Sequence, residues 1–200
     1  GPVQLMQADD AHLIERFVSS EPRLSGDYLT VVRDTVCLPD GSSATREYVR
    51  HQGAVAVVPL LDDGRIVMVR QYRHAVGQVL VEFPAGKLDP GESVWQCAIR
   101  ELREETGYEA AQWARVGVFH NAAAYSTEKM EIWFARGLQA GHQRLDPGEF
   151  LEVQALTVSS LDQMAQRGEL TDMKTMIGLQ WLQKWQSGAW TLQWASPTSP

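Results

Sequence analysis

Two hundred residues leave room for one domain, or one core domain with a smaller attachment, and an apolar share of 44 % is enough to build a core. A formal net charge of −7 excludes the basic stripe of a nucleic-acid-wrapping surface. No apolar run reaches the roughly 18 residues that mark a membrane span.

The first residues lack the basic-then-apolar order of a signal peptide, and Gly1-Pro2 without an initiator methionine reads as a cloning remnant. Cys37 and Cys97 stand far apart, without metal-ligand spacing. They are expected to be reduced, which points to the cytoplasm.

Taken in chain order, residues 27–50 predict a hairpin, with alternating strands around Pro39-Asp40-Gly41. Residues 53–73 repeat that design around Asp62-Asp63-Gly64. A shorter strand over 79–86 leads into a helix, and further strands are expected near 113–120, 130–136 and 151–158. Two helices follow, roughly 159–167 and 172–186. Leu161 and Met164 mark the first, and Met173, Met176, Ile177, Gln180, Trp181 and Lys184 follow helical spacing in the second. The division expected is an N-terminal β region at 3–50, a main α/β body at 51–190 and a frayed tail at 191–200.

The helix after residue 92 is the most informative stretch. Ser93 with Gln96 forms a capping-box pattern, and Gly107 sits where a left-handed cap is wanted. Val94, Ala98 and Leu102 form an apolar stripe, while Glu101, Glu104 and Glu105 crowd one adjacent face. Like charges at those spacings cost about 0.2–0.5 kcal/mol per pair, so an offsetting cation is expected. Arg100 and Arg103 are near in sequence, but their side chains are expected to leave the helix in other directions. A hard divalent ion fits clustered carboxylates better. The plainer reading of a bare E-x-x-E-E helix is a solvated acidic face.

The wider spacing decides between them. Gly86, five residues, Glu92, seven residues and then Arg100-Glu101-Leu102-Arg103-Glu104-Glu105-Thr106-Gly107-Tyr108 resemble the Nudix box at every fixed position. The resemblance implies an α/β/α sandwich with a mixed sheet, carrying an antiparallel strand region at its N-terminus. It further implies metal-dependent hydrolysis of a nucleoside diphosphate linked to another group, with Mg²⁺ as the ion and Mn²⁺ as the alternative. By resemblance, Glu101 and Glu105 are metal ligands, Glu104 is a further ligand or supports one, and Ala85 offers its carbonyl. By the same resemblance Gly86 lets the loop pass close to the metal, Glu92 serves metal support or structure, and Arg100 orients the box by pairing with acids. No Cys or Ser nucleophile lies near it, so attack by activated water is the natural chemistry.

Flanking segments are similar to the ADP-ribose pyrophosphatase branch of that family: "RQYRHAVGQVLVEFPAGKLDPGES", "GDYLTV", "YSTEKMEIWFARGL" and "GELTDMKTMIGLQW", over roughly residues 12–186. This likeness implies a homodimer that exchanges N-terminal strands. Tyr28 would stack on adenine, Arg46 and Arg73 would lie near the diphosphate and base, Glu82 near the adenine or the metal cluster, and Glu128 at the terminal ribose. The general base is expected in "RLDPGEFLEV": Glu149 first, with Asp146 and Glu152 as alternatives. Without family context, Tyr28, Arg46 and Arg73 read as ordinary strand residues, and the tryptophans as packing.

One departure is the loop "HNAAAYSTE", where Ala123-Ala124 replace the Pro-Gly pair of many branch members. It leaves other nucleoside diphosphate sugars, or dinucleotides such as NADH, as alternative substrates. A nucleotide-sensing module without catalysis is the rival from another class, and the intact box speaks against it. The acidic charge disfavours RNA ends.

Overall fold

The computed structural model describes residues 8–197; Gly1-Pro2 and the last three residues of the expected tail lie outside them. Two compact units emerge: one takes in the described residues up to His51 together with Ala122–Glu128, the other Gln52–Asn121 with Lys129 onward.

The first unit opens with a 3₁₀ turn at Ala8–Leu13 and continues as an antiparallel sheet in the order β1 (Arg16–Ser25), β2 (Thr30–Cys37), β3 (Ser43–Arg50). The β2–β3 hairpin turns at Pro39-Asp40-Gly41 as the sequence predicts, with Gly41 at φ +86°. β1 was not foreseen. All ten of its residues are exposed, so it carries no apolar–polar alternation, and Pro22 sits beside a register shift.

The second unit holds β4 (Ala54–Pro59), β5 (Ile66–Arg73), β6 (Gln78–Glu82), β7 (Ala85–Lys87), α1 (Val94–Thr106), β8 (Glu109–His120), β9 (Lys129–Gln139), β10 (Leu151–Leu156), α2 (Val158–Gln166), α3 (Met173–Gln186) and β11 (Trp194–Ala195). Five strands form a mixed sheet in the order β11-β8-β9-β4-β7, in which β4 and β9 run parallel. A smaller antiparallel sheet has the order β10-β5-β6. This is the mixed α/β fold that the sequence implied.

β4 shows why the layers form. All six of its residues are buried, so the strand is covered on both faces. Val55 and Val57 point into a core with Cys97, Ala98 and Leu102 of α1 and Trp113 of β8. Ala54, Ala56 and Val58 point into the opposite core, with Ile132, Phe134, Leu161, Leu179 and Leu182. At about 25 cal/mol per Å² of apolar surface removed from water, these two layers outweigh any single polar contact in holding the fold.

Three expectations are corrected here. The predicted 53–73 hairpin does turn at Gly64, but only a Leu60–Ile66 bridge joins its arms as a ladder. β4 pairs with β7 and β9, while β5 pairs with β6 and β10. Two apolar runs, each buried on both faces where they diverge, fit separate layers better than one ladder. The tail expected to fray from 191 instead forms β11 on β8, where Trp194 packs at a tilt against Trp185 and lies under the Arg136 guanidinium. Finally, α3 turns a different face inward. Lys174, Thr175, Gly178, Leu179 and Leu182 are buried, while Met173 and Met176 are exposed.

Candidate active site

Helix α1 begins and ends where its sequence says. Ser93 Oγ accepts from the Gln96 amide at 3.1 Å, and the Gln96 side chain accepts from the Ser93 amide at 3.1 Å, a reciprocal capping box. Gly107, at φ +78°, closes the other end. A Cβ on Gly107 would run into the Gly141 carbonyl, so glycine is required there twice over.

The glutamates divide by their partners. Arg100 gathers three of them: its side chain does not leave in another direction, as its helix position suggested, but pairs with acids as the resemblance implied. Its Nε donates to Glu92 at 2.7 Å, and Nη1 to Glu101 at 2.9 Å and to Glu104 at 3.0 Å. The Arg100 hydrogen bond holds the Glu92 carboxyl down at about 2. Glu105 is buried, 6 % exposed, and its carboxylate accepts from the Ala85 amide at 3.2 Å. Burial, reinforced by the Glu101 charge, pushes its pKa up to about 9. Burial likewise raises Glu101 to about 7 in spite of Arg100. The Glu101 carboxylate lies against β7, filling the space that a side chain at Gly86 would need.

The tetrapeptide Asp-Pro-Gly-Glu occurs twice, at 89–92 and 146–149, and makes the same turn each time. The glutamate amide donates to the aspartate carbonyl (3.0 and 2.9 Å), with the glycine at φ +76° and +81°. This is the signature of a type II turn. The first turn hands Glu92 to Arg100. The second presents Glu149, whose charge raises both Glu101 and Glu105. The loop carrying Glu149 is fastened to α1: Gln143 Nε2 donates to the Glu105 carbonyl at 2.6 Å, and the Arg144 amide to the Glu104 carbonyl at 2.7 Å. Glu152 is placed otherwise. On β10 its carboxylate is exposed and pairs with Arg70 at 2.7 Å. Asp146 serves the turn through its backbone.

Beside the cluster, Arg73 grips buried Glu82 through Nε (2.8 Å) and Nη2 (3.0 Å). Glu82 stays ionised: burial opposes its charge, but Arg73 and Lys174 together depress its pKa. Sequence reasoning missed Lys174, which lies in the first turn of α3 behind the Asp172 cap. The Asp-x-x-Thr pattern at 172–175 signals that cap, but not that a lysine turns inward.

The remaining predicted residues belong to the first unit. Tyr28 sits in the turn between β1 and β2, 70 % exposed. Arg46 is engaged by both oxygens of Glu15, at 2.9 and 2.6 Å. Glu128 lies 3.9 Å from His51 Nε2.

Among the described residues, no three His, Cys, Asp or Glu side chains are arranged as a ready-made metal cage. The donors nevertheless suit a hard cation. Two adjacent carboxylates are held at raised pKa by burial and by neighbouring acids, and Mg²⁺ asks for only one or two such ligands, taking the rest from water and phosphate.

A helix capped at both ends, bearing clustered acids and packed on a mixed sheet with a core on each face, is the arrangement to set beside known proteins. The NUDIX domain model matches residues 50–176, and the chain belongs to the Nudix family. It is 36 % identical over 173 residues to the ADP-ribose pyrophosphatase of Bacillus subtilis (strain 168), covering 86 % of this chain and 94 % of that protein. It is 38 % identical over 171 residues to the methanol dehydrogenase activator of Bacillus methanolicus, covering 84 % and 92 %. It is also similar in fold to a crystal structure of an ADP compounds hydrolase, with a TM-score of 0.78 and 24 % identity over 87 % of this chain and 95 % of that one.

Proposed function

We propose that this Nudix pyrophosphatase hydrolyses the diphosphate of ADP-ribose, giving AMP and ribose 5-phosphate. The adjacent carboxylates of half-buried Glu101 and buried Glu105, set against β7 at Gly86 and Ala85, are the observation that carries the chemistry: at raised pKa they suit a divalent cation, Mg²⁺ or Mn²⁺. The similarity to ADP-ribose pyrophosphatases supports the substrate. Glu101 and Glu105, with the Ala85 carbonyl and Glu104 in support, would hold the ion, which when bound polarises the diphosphate and acidifies water. Gly86 leaves room for the Glu101 carboxylate, and Arg100 with Glu92 fixes the helix face.

Glu149, on its fastened loop, accepts the proton of the attacking water. The water oxygen bonds to one phosphorus, and the bridging oxygen leaves with the other phosphate. Arg73 and Arg46 would neutralise diphosphate oxygens, with Tyr28 against adenine and Glu128 at the terminal ribose. We further propose a homodimer, supported by the apolar side chains Phe17, Val18 and Leu24 exposed on β1. The two free thiols favour a reducing compartment, the cytoplasm. No described helix is long and apolar enough to cross a membrane.

The test is product release from ADP-ribose, other nucleoside diphosphate sugars, NADH and diadenosine polyphosphates, with Mg²⁺ and with chelator. ADP-ribose leading and chelator abolishing turnover is the expected result. Another leading substrate moves the specificity to Ala123-Ala124 and Tyr125. Binding of ADP-ribose without turnover removes the enzyme.

A further inference from the structure

Lys174 is buried, 9 % exposed, on the first turn of α3. Its Nζ lies 2.5 Å from Glu82 Oε1 and 2.9 Å from Asp172 Oδ2. Asp172 is itself held by the Thr175 hydroxyl at 2.6 Å, and that hydroxyl accepts from the Phe83 amide at 3.3 Å. The first turn of α3 is thus bonded to the end of β6 at the Glu82 carboxylate and at the Phe83 amide just after it. Charges balance in this group: Glu82 and Asp172 against Lys174 and Arg73.

The balance matters because Arg73 has two tasks. Its Nε and Nη2 edge is spent on Glu82, while Nη1 remains for another acceptor, and its side chain is 42 % exposed. A bound diphosphate would draw on the same positive charge. Were Arg73 the only cation beside a carboxylate 2 % exposed, that sharing would leave a buried charge under-compensated, a costly state. Lys174 removes the conflict. It compensates Glu82 from the protein side and holds Oε1, the oxygen it shares with Arg73 Nη2, so the carboxylate keeps the orientation that the arginine fork meets.

We infer that Lys174 is a positioning residue for substrate binding: from α3 it holds Glu82 as the two-oxygen acceptor that aims Arg73 at the diphosphate. The inference rests on the reading of Arg73 as a diphosphate contact, and a double-mutant cycle separates the two. Dissociation constants of the non-hydrolysable α,β-methylene ADP-ribose are measured by calorimetry for the parent, Lys174→Met, Arg73→Ala and the double variant, with melting temperatures alongside. Lys174→Met is expected to weaken binding about tenfold in the parent, and to add less than about twofold once Arg73 is gone. Its loss of melting temperature should be larger in the Arg73→Ala background, where Glu82 loses both of its cations, so the binding and stability cycles run in opposite directions. Lys174→Arg is expected to recover binding. Should Lys174→Met fail to fold, Lys174→Gln, which keeps a donor but no charge, runs the same cycle. Equal weakening in both backgrounds, or none in the parent, overturns the role of Lys174 while leaving Arg73 intact. If Arg73→Ala itself binds as the parent does, the reading of Arg73 falls and the role of Lys174 falls with it.

Discussion

At the scale of single residues, Glu105 is the carboxylate without a cation of its own, because Arg100 is occupied by Glu92, Glu101 and Glu104. Glu105→Gln should therefore lose more than about a hundredfold in turnover, beyond the usual cost of disturbing a ligand's supporting partner, while circular dichroism stays unchanged. An unchanged rate would refute its metal role. The pH dependence of stability follows from the same burial. In chelator, Glu101 and Glu105 have folded pKa values of about 7 and about 9 against an ordinary 4.5, so the native state binds more protons than the unfolded chain between those limits. Stability must then fall as pH rises from about 4.5 towards 9. A melting series in chelator should show that decline, and Glu105→Gln should flatten it. Mg²⁺ should raise the melting temperature more at pH 8 than at pH 6, since below the folded pKa it competes with protons. The glutamate spacing was legible in the sequence, but the division of partners was not. A long guanidinium can fold back from position 100 to a turn at 92, and no periodicity encodes that reach.

At the scale of elements, caps were the readable part. α1 was bounded correctly because its start and stop rest on local side-chain and glycine chemistry. Ser93→Ala should cost about 1 kcal/mol in denaturant unfolding. Gly107→Ala should cost more, since a left-handed residue with a Cβ loses about 1–2 kcal/mol even before the Gly141 carbonyl is displaced. Gly141 begins the segment that fastens the Glu149 loop, so Gln143→Ala offers a gentler test. It should lower kcat several-fold with KM and melting temperature nearly unchanged; an unaltered kcat would mean the loop is held without it. β1 and the inward face of α3 escaped the sequence for opposite reasons. A strand exposed on every residue leaves no period-two mark. A helix that buries a lysine breaks the rule that apolar spacing names the inner face.

For the whole molecule, the exposed apolar side chains of β1 make a prediction about assembly. Light scattering should report twice the chain mass, and Phe17→Asp with Leu24→Asp should give a monomer; a monomeric parent would end the dimer proposal. The two-unit division was only partly legible. Turn signals separate strands readily, but nothing local says that Ala122–Glu128 returns to the first unit. The parallel pairing of β4 with β9 has a consequence for how the protein is made. α1 docks on a face completed by Trp113 of β8 and Ala135 of β9, and Ala54 of β4 waits for Met130 as its partner. A nascent chain that has emerged only through α1 therefore displays its glutamates to water on an undocked helix, with no buried acid pair and no raised pKa. On the proposed metal role, capture of the ion would be a late event of synthesis, available only after the ribosome has delivered β9, and folding should be slow for a chain of this size because its central contact is so distant in sequence.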